Sequence, residues 1–439
     1  MVKTIIIANV AEAFSRSIAK IRSRKEKTLR LAIEQSLSQR SMFWGGDNKV
    51  VITPYFIPKL LFHRNSIFCK YKNTVNVTPV NESINLCEAI LKDKKLYDWL
   101  KVIIKNNPKV NLSPYSFTNF FLELTRKLKE DNLIFKTDAI PDSNTDVVSY
   151  LDSKSGFRLE LLKLQKQFPE IKIPYGFICN NPEVALRIVE QFYKLNASCV
   201  LKANLGESGW GLLTIKPGVF KSLIELSNSI KSTIINESIW QNDSIIIEEL
   251  ILHTSSPSVE VLVTAKGPKI TYICQQIIDD KGTFSGILLG KNTIKTSLIK
   301  KLIHISSIIG KRYWQMGYRG YFDIDFVISY NGTAFAIETN MRRTGGTHVY
   351  DFACKVLGKN WFEKAVILSK DNFIYGDEII DGKEIFKRVS KMLFTSKIGK
   401  GVVISFISKS IPLLGYFIIG DSLVEASNLK SRFESLVKL

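Results

Sequence analysis

Hydrophobic and polar residues follow one another along this chain in short patterns that predict alternating strands and helices. In the first third of the sequence, short apolar runs predict strands at residues 4–10, 49–53 and 75–78. Apolar residues at helical spacing predict helices at about residues 13–37, 84–105 and 117–129. Alternation of this kind favours an α/β architecture in which helices pack on a sheet.

The same patterns continue beyond a polar, turn-forming cluster at residues 141–146. They predict helices near residues 154–167, from 182, at 220–230 and at 296–316, and strands near 198–202, 244–248, 259–264 and 269–274. Lys409 and Pro412 interrupt an apolar stretch at residues 402–419, which favours two strands and a turn over a membrane span. The cluster at residues 141–146 makes a plausible boundary, so we expect residues 1 to about 150 to form a separate unit.

The most informative pattern is a pair of apolar runs that flank Asn331-Gly332. Asn-Gly between two such runs predicts a β-hairpin with a two-residue type I′ turn, because both turn residues then adopt positive φ. Counting back from this turn pairs Asp325 with Glu338 and Asp323 with Asn340. All four side chains then point to one face of the hairpin.

Three carboxylates and an amide therefore gather on that face. Directly opposed side chains lie about 5 Å apart, and like charges in this relation are destabilising. The arrangement favours a bound cation, and ligands that are all oxygen favour Mg²⁺ or Ca²⁺ over zinc. A solvated hairpin face is the alternative interpretation.

The composition is that of an ordinary soluble protein, with 45% hydrophobic and 23% charged residues. A length of 439 residues is enough for two or three domains. The 61 Lys and Arg residues against 41 Asp and Glu give a net charge of +20, which attracts polyanions such as nucleic acid, anionic lipid or nucleotides. The lysines are spread out, with only short clusters such as residues 22–27, so no continuous basic tail indicates nucleic-acid binding.

Six scattered cysteines without a Cys-x-x-Cys spacing predict free thiols in a reducing compartment. The apolar run at residues 4–11 is short, and the charged residues Glu12 and Arg16 come soon after it. This favours a buried first strand over a signal peptide. We therefore expect a cytoplasmic protein.

Upstream of the hairpin, a glycine-rich loop comes after a strand that ends in Lys202. Gly206, Gly209 and Gly211 allow the backbone to approach a ligand closely, successive N–H groups can bind an anion, and the lysine offers a countercharge to phosphate. The spacing is not that of a Walker or dinucleotide-binding loop, and a simple turn between strands is the alternative. A later apolar strand ends in Glu248-Glu249.

Taken in order, the lysine strand, the glycine-rich loop, the strand ending in Glu248-Glu249 and the acidic hairpin resemble the ATP-grasp superfamily over about residues 150–355. The resemblance implies an α/β (α+β) fold in which two α/β subdomains clasp ATP, preceded by a Rossmann-like pre-ATP-grasp domain over residues 1–150. The small lid subdomain would span about residues 175–250 and the metal-binding subdomain about 251–355. Residues 356–439 would complete this domain or pack on it.

The resemblance also implies a role for each motif. Asp325, Glu338 and Asn340, with Asp323 added by register, would hold two Mg²⁺ ions on the ATP phosphates. Lys202 would contact phosphate, and either Lys154 or Arg158 would also touch ATP. The loop over the phosphates would include Gly206, Ser208, Gly209, Trp210 and Gly211. The adenine and ribose would be contacted by Glu248, Glu249, Leu250, Ile251, Glu260 and Ile337.

The sequence after the hairpin, Glu338-Thr339-Asn340-Met341-Arg342 and then Arg343 to His348, is similar to the Glu-x-Asn-x-Arg, Gly-Gly-Thr, His pattern of pheganomycin-type peptide ligases. One extra residue separates the arginine from Gly-Gly. Either Arg342 or Arg343 would therefore grip a substrate carboxylate and steady the tetrahedral intermediate. His348 would orient substrate or phosphate, with a structural hydrogen bond as the alternative.

The resemblance implies an ATP- and Mg²⁺-dependent ligase that joins a carboxylate to an amine through an acyl phosphate, releasing ADP and phosphate. Its substrates would be a small carboxylate, such as an amino acid or peptide, and an amine. Nucleic-acid and membrane binding are not expected, and a homodimer is a candidate oligomeric state. The alternatives are an ATP-grasp enzyme that forms another type of bond, or a non-catalytic regulator that binds nucleotide or nucleic acid.

Overall fold

The computed structural model describes residues 1–81, 83–137, 146–206, 210–241, 243–278 and 284–438. Its strands are β1 Thr4–Ile7, β2 Lys49–Ile52, β3 Thr74–Val77, β4 Asn111–Pro114, β5 Gly176–Cys179, β6 Cys199–Ala203, β7 Leu212–Ile215, β8 Ile245–Glu249, β9 His253–Ser255, β10 Pro257–Thr264, β11 Gly267–Ile278, β12 Phe284–Gly290, β13 Gly320–Ser329, β14 Ala334–Asn340, β15 Val366–Ile374, β16 Gly401–Ile407 and β17 Leu413–Gly420. Its helices are α1 Val10–Ala13, α2 Ser15–Lys20, α3 Arg24–Leu37, α4 Lys59–Phe68, α5 Leu86–Lys92, α6 Lys94–Asn106, α7 Asn119–Glu130, α8 Asp146–Asp152, α9 Lys154–Gln165, α10 Pro182–Lys194, α11 Leu223–Asn236, α12 Thr296–Gln315, α13 Thr347–Val356, α14 Gly382–Arg388 and α15 Leu423–Val437. Apart from residue 146, the turn-forming cluster predicted as a boundary lies outside the described residues.

A parallel sheet forms the N-terminal part of the fold, with strand order β3-β2-β1-β4. On β1, Thr4 lies beside Lys49 of β2 and Asn111 of β4. Parallel neighbours need crossover connections, and the intervening helices supply them. The carboxyl ends of β1 and β4 lead into residues 8–17 and 115–120, which lie at the same edge of the sheet.

The single helix predicted over residues 13–37 is wrong, because the structure has three shorter helices there, α1, α2 and α3. The backbone is extended at Ile21, where φ is −70° and ψ is 118°. Ser23 then begins α3 by accepting a hydrogen bond from the Glu26 amide at 3.3 Å. Ser-x-x-Glu is a capping pattern that starts a new helix, and apolar spacing alone does not detect it.

A smaller antiparallel sheet, with order β5-β8-β6-β7, carries α10 and α11. Leu201 and Ile247 of the sheet share one apolar core with Val189 of α10 and Leu226 of α11. As predicted, α10 begins at Pro182, and the Asn181 side chain caps it by accepting a bond from the Glu183 amide at 2.7 Å.

The large antiparallel sheet has order β14-β13-β10-β11-β12-β15-β17-β16, with β9 paired to β13. The two strands predicted in the last apolar stretch are β16 and β17, and both are buried along their whole length. Because β15 pairs with β12 on one side and β17 on the other, the end of the chain continues the sheet that carries the acidic hairpin. In the described part of the chain, no helix combines the length and apolar character needed to cross a membrane.

The hairpin β13–β14 has a different turn from the one predicted. The Ser329 amide donates to the Thr333 carbonyl at 3.0 Å, which leaves a loop of three residues instead of two. Gly332 has a φ of 81°, whereas Asn331 is not in the left-handed region, so the turn is not type I′. The extra loop residue moves the register of the strands by one position.

A β-bulge restores the predicted pairing further along the hairpin. The register changes between Asp325 and Phe326, and Ile337 is the extra residue on β14. The two shifts cancel. Asp325 therefore faces Glu338, and Asp323 faces Asn340. These are the predicted pairs, although the prediction assumed a two-residue turn and no bulge.

Candidate functional site

The acidic residues of the hairpin lie together at the ends of β13 and β14. Asn340 Nδ2 donates to Asp323 Oδ1 at 2.9 Å and to Asp325 Oδ2 at 3.3 Å. Gln276 of β11 donates from Nε2 to the other Asp325 oxygen at 2.6 Å. Glu338 faces Asp325 across the strand pair. The structure thus brings the four predicted metal ligands together and adds Gln276, for which the sequence gives no local signal.

The electrostatics of this cluster favour a cation. Burial raises the pKa of Asp325 well above its ordinary value, and the nearby Asp323 and Glu338 carboxylates raise it further. Burial also raises the pKa of Asp323. Among the described residues, no three His, Cys, Asp or Glu side chains converge to hold a metal ion as they stand. The oxygen donors suit Mg²⁺, but binding it would require the carboxylates to exchange their amide hydrogen bonds for the ion.

Two lysines border the cluster. Lys154, the first residue of α9, places Nζ 3.2 Å from Glu338 Oε2. Lys202 of β6 places Nζ 2.7 Å from Glu248 Oε2 on β8. Burial raises the pKa of Glu338, but the lysine charges outweigh this effect, so its pKa is lowered overall. Glu338 is therefore held ionised, next to cations of the kind that bind phosphate.

Lys154 faces the acidic cluster, whereas Arg158, the other candidate near the start of α9, does not. Arg158 is buried and places Nη1 2.9 Å from Glu248 Oε1. It also donates to the carbonyls of Pro174 at 3.0 Å and Gly176 at 2.8 Å. These bonds attach α9 to the small sheet. The structure therefore does not support a direct contact between Arg158 and ATP.

The glycine-rich loop is described at both ends, while Ser208 and Gly209 lie outside the described residues. The carbonyl of Gly206 accepts a hydrogen bond from Lys154 Nζ. A Cβ atom at Gly206 would lie 2.4 Å from the Trp210 carbonyl oxygen, and Gly211 has a φ of 73°. Glycine is thus required at position 206 by the close approach of the backbone and at position 211 by the positive φ. The loop begins beside Lys154.

Several polar groups predicted to contact adenine, on β8 and β14 and just after β8, already form hydrogen bonds within the protein. Glu249 Oε1 accepts a bond from the Tyr175 amide at 2.8 Å, and the Leu250 amide donates to the Ser198 carbonyl at 3.0 Å. The carbonyl of Ile337, the bulge residue, accepts from Lys202 Nζ at 3.3 Å. The carbonyl of Ile251 also lies 3.0 Å from His253 Nδ1. The adenine contacts of this strand stay a prediction.

Arg342 and Arg343 have different surroundings. Arg342 lines a cleft beside the acidic cluster, with Nη1 3.7 Å from Asp152 Oδ1 and its guanidinium carbon 4.9 Å from the centre of the Phe14 ring. Arg343 is 3% exposed and donates from Nη2 to Ser113 Oγ at 2.9 Å. The structure therefore contradicts a substrate contact for Arg343, which instead anchors the hairpin tail to β4.

Two further predicted site residues are also buried away from the cleft. Glu260, predicted as a ribose partner, is 0% exposed and accepts hydrogen bonds from three threonine hydroxyls, those of Thr271, Thr344 and Thr347. His348, predicted to orient substrate, is 1% exposed and lies between the rings of Phe43 and Phe417. Neither residue is accessible to a nucleotide or substrate, so both predictions are corrected.

A cleft of about 250 Å³ opens from Glu338, Asn340 and Arg342 towards the N-terminal sheet. Its far wall consists of residues that come after the strands of that sheet and residues of α8, namely 12–17, 116–120, 148, 149 and 152. No sequence motif identified this wall. The available signal was the rule that ligands bind beyond the carboxyl ends of parallel strands, which applies to β1 and β4.

No protein-family model matches the sequence. Over 179 residues the chain is 27% identical to a ligase of Niallia circulans named [butirosin acyl-carrier protein]--L-glutamate ligase. The match covers 40% of this chain and 40% of that relative.

Solved structures cover far more of the chain. The biotin carboxylase domain of Hydrogenobacter thermophilus 2-oxoglutarate carboxylase, in complex with ADP, magnesium and bicarbonate, has a TM-score of 0.54 at 12% identity, covering 98% of this chain and 89% of that one. A carboxyaminoimidazole ribonucleotide synthase from Aspergillus clavatus, complexed with ATP, has a TM-score of 0.54 at 10% identity, covering 99% and 98%. These similarities show that the chain has the ATP-grasp fold that the resemblance implied.

Proposed function

We propose that this chain, which has the ATP-grasp fold, is an ATP-dependent carboxylate–amine ligase. A substrate carboxylate oxygen attacks the γ-phosphorus of ATP, which gives an acyl phosphate and ADP. An amine nitrogen then attacks the acyl carbon, so that an amide forms and inorganic phosphate and a proton leave. The observation that carries the proposal is the arrangement at the end of the hairpin. Asn340 bonds both Asp323 and Asp325, Glu338 pairs with Lys154, and Glu338 and Asn340 open into the cleft lined by Arg342.

The acidic cluster is the part that would hold magnesium, through Asp323, Asp325, Glu338 and Asn340. Ions bound there offset the negative charge of the β- and γ-phosphates. Lys154, which pairs with Glu338, and Lys202, which pairs with Glu248, would add positive charge beside the cluster. In phosphoryl transfer, positioning and electrostatic stabilisation supply most of the catalysis. A site built from carboxylates and lysines around a shared space suits that reaction.

Arg342 is the residue that we assign to the substrate carboxylate. Its guanidinium lies in the cleft, where its side chain is 15% exposed, and its Nη1 atom is 3.7 Å from Asp152 Oδ1. A guanidinium can hold a carboxylate by two parallel hydrogen bonds, which fixes the oxygen that attacks phosphorus. It can also stabilise the negative charge that develops on oxygen when the amine adds.

The substrate class that we propose is a small carboxylate and an amine. The Niallia circulans relative is named for an acyl-carrier protein and L-glutamate, which supports an amino acid as one substrate of a ligase of this type. Within this proposal, residues 1–150 supply the far wall of the cleft, residues 151–355 bind nucleotide and metal, and residues 356–439 extend the large sheet.

The test is an ADP-release screen with pooled amino acids, dipeptides and small carboxylic acids, followed by mass spectrometry of the product. We expect turnover that requires both a carboxylate and an amine, and a rate slower by a factor of about 100 or more in Glu338→Gln. Glu363→Gln, an exposed substitution outside the cleft, is the matched control and should keep the wild-type rate. Near wild-type turnover in Glu338→Gln would contradict the metal assignment, and nucleotide binding without ADP release for any substrate pair would favour a regulator.

A further inference from the structure

Arg16 stands at the end of the cleft that is formed by the N-terminal sheet. It is the second residue of α2, in the segment after β1, and its side chain is exposed. Its Nη1 atom donates to Ser149 Oγ of α8 at 3.3 Å. Arg16 lines the same cleft as Arg342 and Lys154. Among the described residues, three cationic side chains therefore line one space of about 250 Å³.

The other two cations in the cleft already have carboxylate partners. Lys154 pairs with Glu338 at 3.2 Å, and Arg342 lies 3.7 Å from Asp152. For Arg16, no carboxylate of the described residues lies within 4.0 Å of its guanidinium, and a neutral serine is its hydrogen-bond partner. A cation that faces a cleft without a protein anion is a ready partner for an anionic group of a ligand.

The nearby acidic group in the cleft, Glu12, is not available to neutralise Arg16. Its Oε1 accepts hydrogen bonds from the Asn9 side-chain amide at 3.0 Å and from the Thr118 hydroxyl. Its Oε2 accepts one from the Cys87 backbone amide at 2.7 Å. Glu12 is also 2% exposed. Its carboxylate is thus committed to holding β1, α5 and the start of α7 together.

The surface between the two arginines suits a small polar substrate. The Phe14 ring packs against the Arg342 guanidinium, and Phe14 lines the cleft together with Arg16. Ser15, Ser17 and Asn119 add hydroxyl and amide groups along the cleft. A molecule held by Arg342 at one carboxylate can therefore extend over Phe14 towards Arg16.

We propose that Arg16 binds a second anionic group of the carboxylate substrate, on the side remote from the carboxylate that is phosphorylated. This inference rests on the proposed ligase function. The class of substrate is a small dicarboxylate, such as an acidic amino acid, or a carboxylate that carries a phosphate at its other end. Carboxylate and phosphate share the recognition chemistry of a guanidinium, and matched substrates distinguish them.

The experiment compares wild-type protein with Arg16→Gln and Arg16→Lys in steady-state ADP release. One substrate arm uses a dicarboxylic amino acid and its side-chain amide, and the other uses a phosphomonoester carboxylate and the corresponding alcohol. In at least one arm, Arg16→Gln should raise KM for the charged substrate about 10- to 100-fold, with kcat within about twofold and the neutral partner unaffected. Arg16→Lys should recover part of the affinity, because it keeps the charge without the planar fork.

Arg24→Gln is the matched control, because it removes the same charge from the exposed first residue of α3, outside the cleft. It should leave KM unchanged for all four substrates. Equal KM values for charged and neutral partners in the wild type, or the same KM change in Arg24→Gln as in Arg16→Gln, would overturn the inference while leaving ligase activity intact. Absence of ADP release with every carboxylate would instead contradict the proposed function itself.

Discussion

Arg342 and Arg343 are neighbours in the sequence after the hairpin, but their surroundings differ, and these surroundings determine their roles. Arg342 lies in the cleft against Phe14, whereas Arg343 packs its guanidinium carbon 3.9 Å from the centre of the Tyr321 ring and 4.8 Å from that of Trp44. An arginine stacked between aromatic rings contributes through packing as well as charge. Arg343 therefore stabilises the junction between the large sheet and β4, and Arg342 is the one that faces substrate.

Glu260 is a buried acidic residue whose contribution to the stability of the fold depends on pH. Burial raises its pKa from 4.5 to about 7, although the Thr347 and Thr271 hydroxyls oppose the shift. A folded-state pKa above the unfolded value means that its contribution to stability is fully present below pH 4.5 and is lost as the pH rises through 7. The difference corresponds to roughly 3 kcal/mol in the free energy of unfolding.

Glu260→Gln should remove this pH dependence, because an amide of the same shape does not titrate. We expect the wild type to lose roughly 3 kcal/mol more than the variant between about pH 4.5 and about pH 8, measured by urea denaturation at a series of pH values. Any constant difference from altered hydrogen bonds to the three threonines cancels in this comparison. Parallel pH profiles for the two proteins would contradict the assignment.

At the scale of elements, the turn and the bulge of the hairpin act together to set the position of the acidic cluster. A one-residue shift in register moves every side chain of a strand to the opposite face. The three-residue loop introduces such a shift, and the bulge at Ile337 removes it before the strand reaches Glu338. The cluster therefore depends on both features, although only the turn had a sequence signal.

Gly332→Ala should destabilise the protein by about 1 kcal/mol, because alanine resists the φ of 81° that this position adopts. No atom of the described residues lies within 4 Å of the added Cβ, so the loss comes from the backbone and not from a clash. Gly332→Asn should lose less, since asparagine tolerates the left-handed region. Urea midpoints measure both effects, and equal losses for Ala and Asn would contradict this explanation.

The sequence predicted those parts of the site that depend on local pattern. Asp325, Glu338 and Lys202 each lie in a strand that can be predicted from the residues of that strand alone. The far wall of the cleft depends instead on contacts between distant residues, since Asn9 holds the loop after β4 by accepting from the Tyr115 amide at 2.9 Å and donating to the Ser116 carbonyl at 3.0 Å. No pattern near Asn9 indicates this bond. Burial of Glu260 and His348 likewise results from sheet packing, not from their motifs.

At the scale of the whole molecule, the site lies where the three sheets formed by the described residues meet. The large sheet supplies the acidic hairpin, the small sheet supplies Lys202, and the N-terminal sheet supplies the far wall of the cleft. The N-terminal part also touches the segment between α11 and β8, because Ser238 Oγ donates to the Lys20 carbonyl and Arg22 Nη2 donates to Gln241 Oε1 at 3.1 Å. Nucleotide bound in this space would contact several parts of the fold at once.

A ligand that binds only the folded protein stabilises it by mass action, so ATP should raise the unfolding temperature of the whole chain. At about 100 times its dissociation constant, Mg·ATP should add about 2.7 kcal/mol to the free energy of unfolding. In Glu338→Gln the neutral amide no longer pairs with Lys154, which becomes available to phosphate. ATP without magnesium should therefore still stabilise the variant, whereas the additional shift on adding magnesium should fall to less than about half of the wild-type value.

Thermal unfolding with ATP and EDTA, and then with excess magnesium, separates these two contributions. Glu363→Gln is the matched control and should show the wild-type response to both additions. Arg342→Gln adds a second comparison. Loss of the guanidinium assigned to the substrate carboxylate should slow ADP release but leave the magnesium-dependent shift in place. A full magnesium-dependent shift in Glu338→Gln would mean that the metal binds away from the hairpin, and the acidic cluster would then require another explanation.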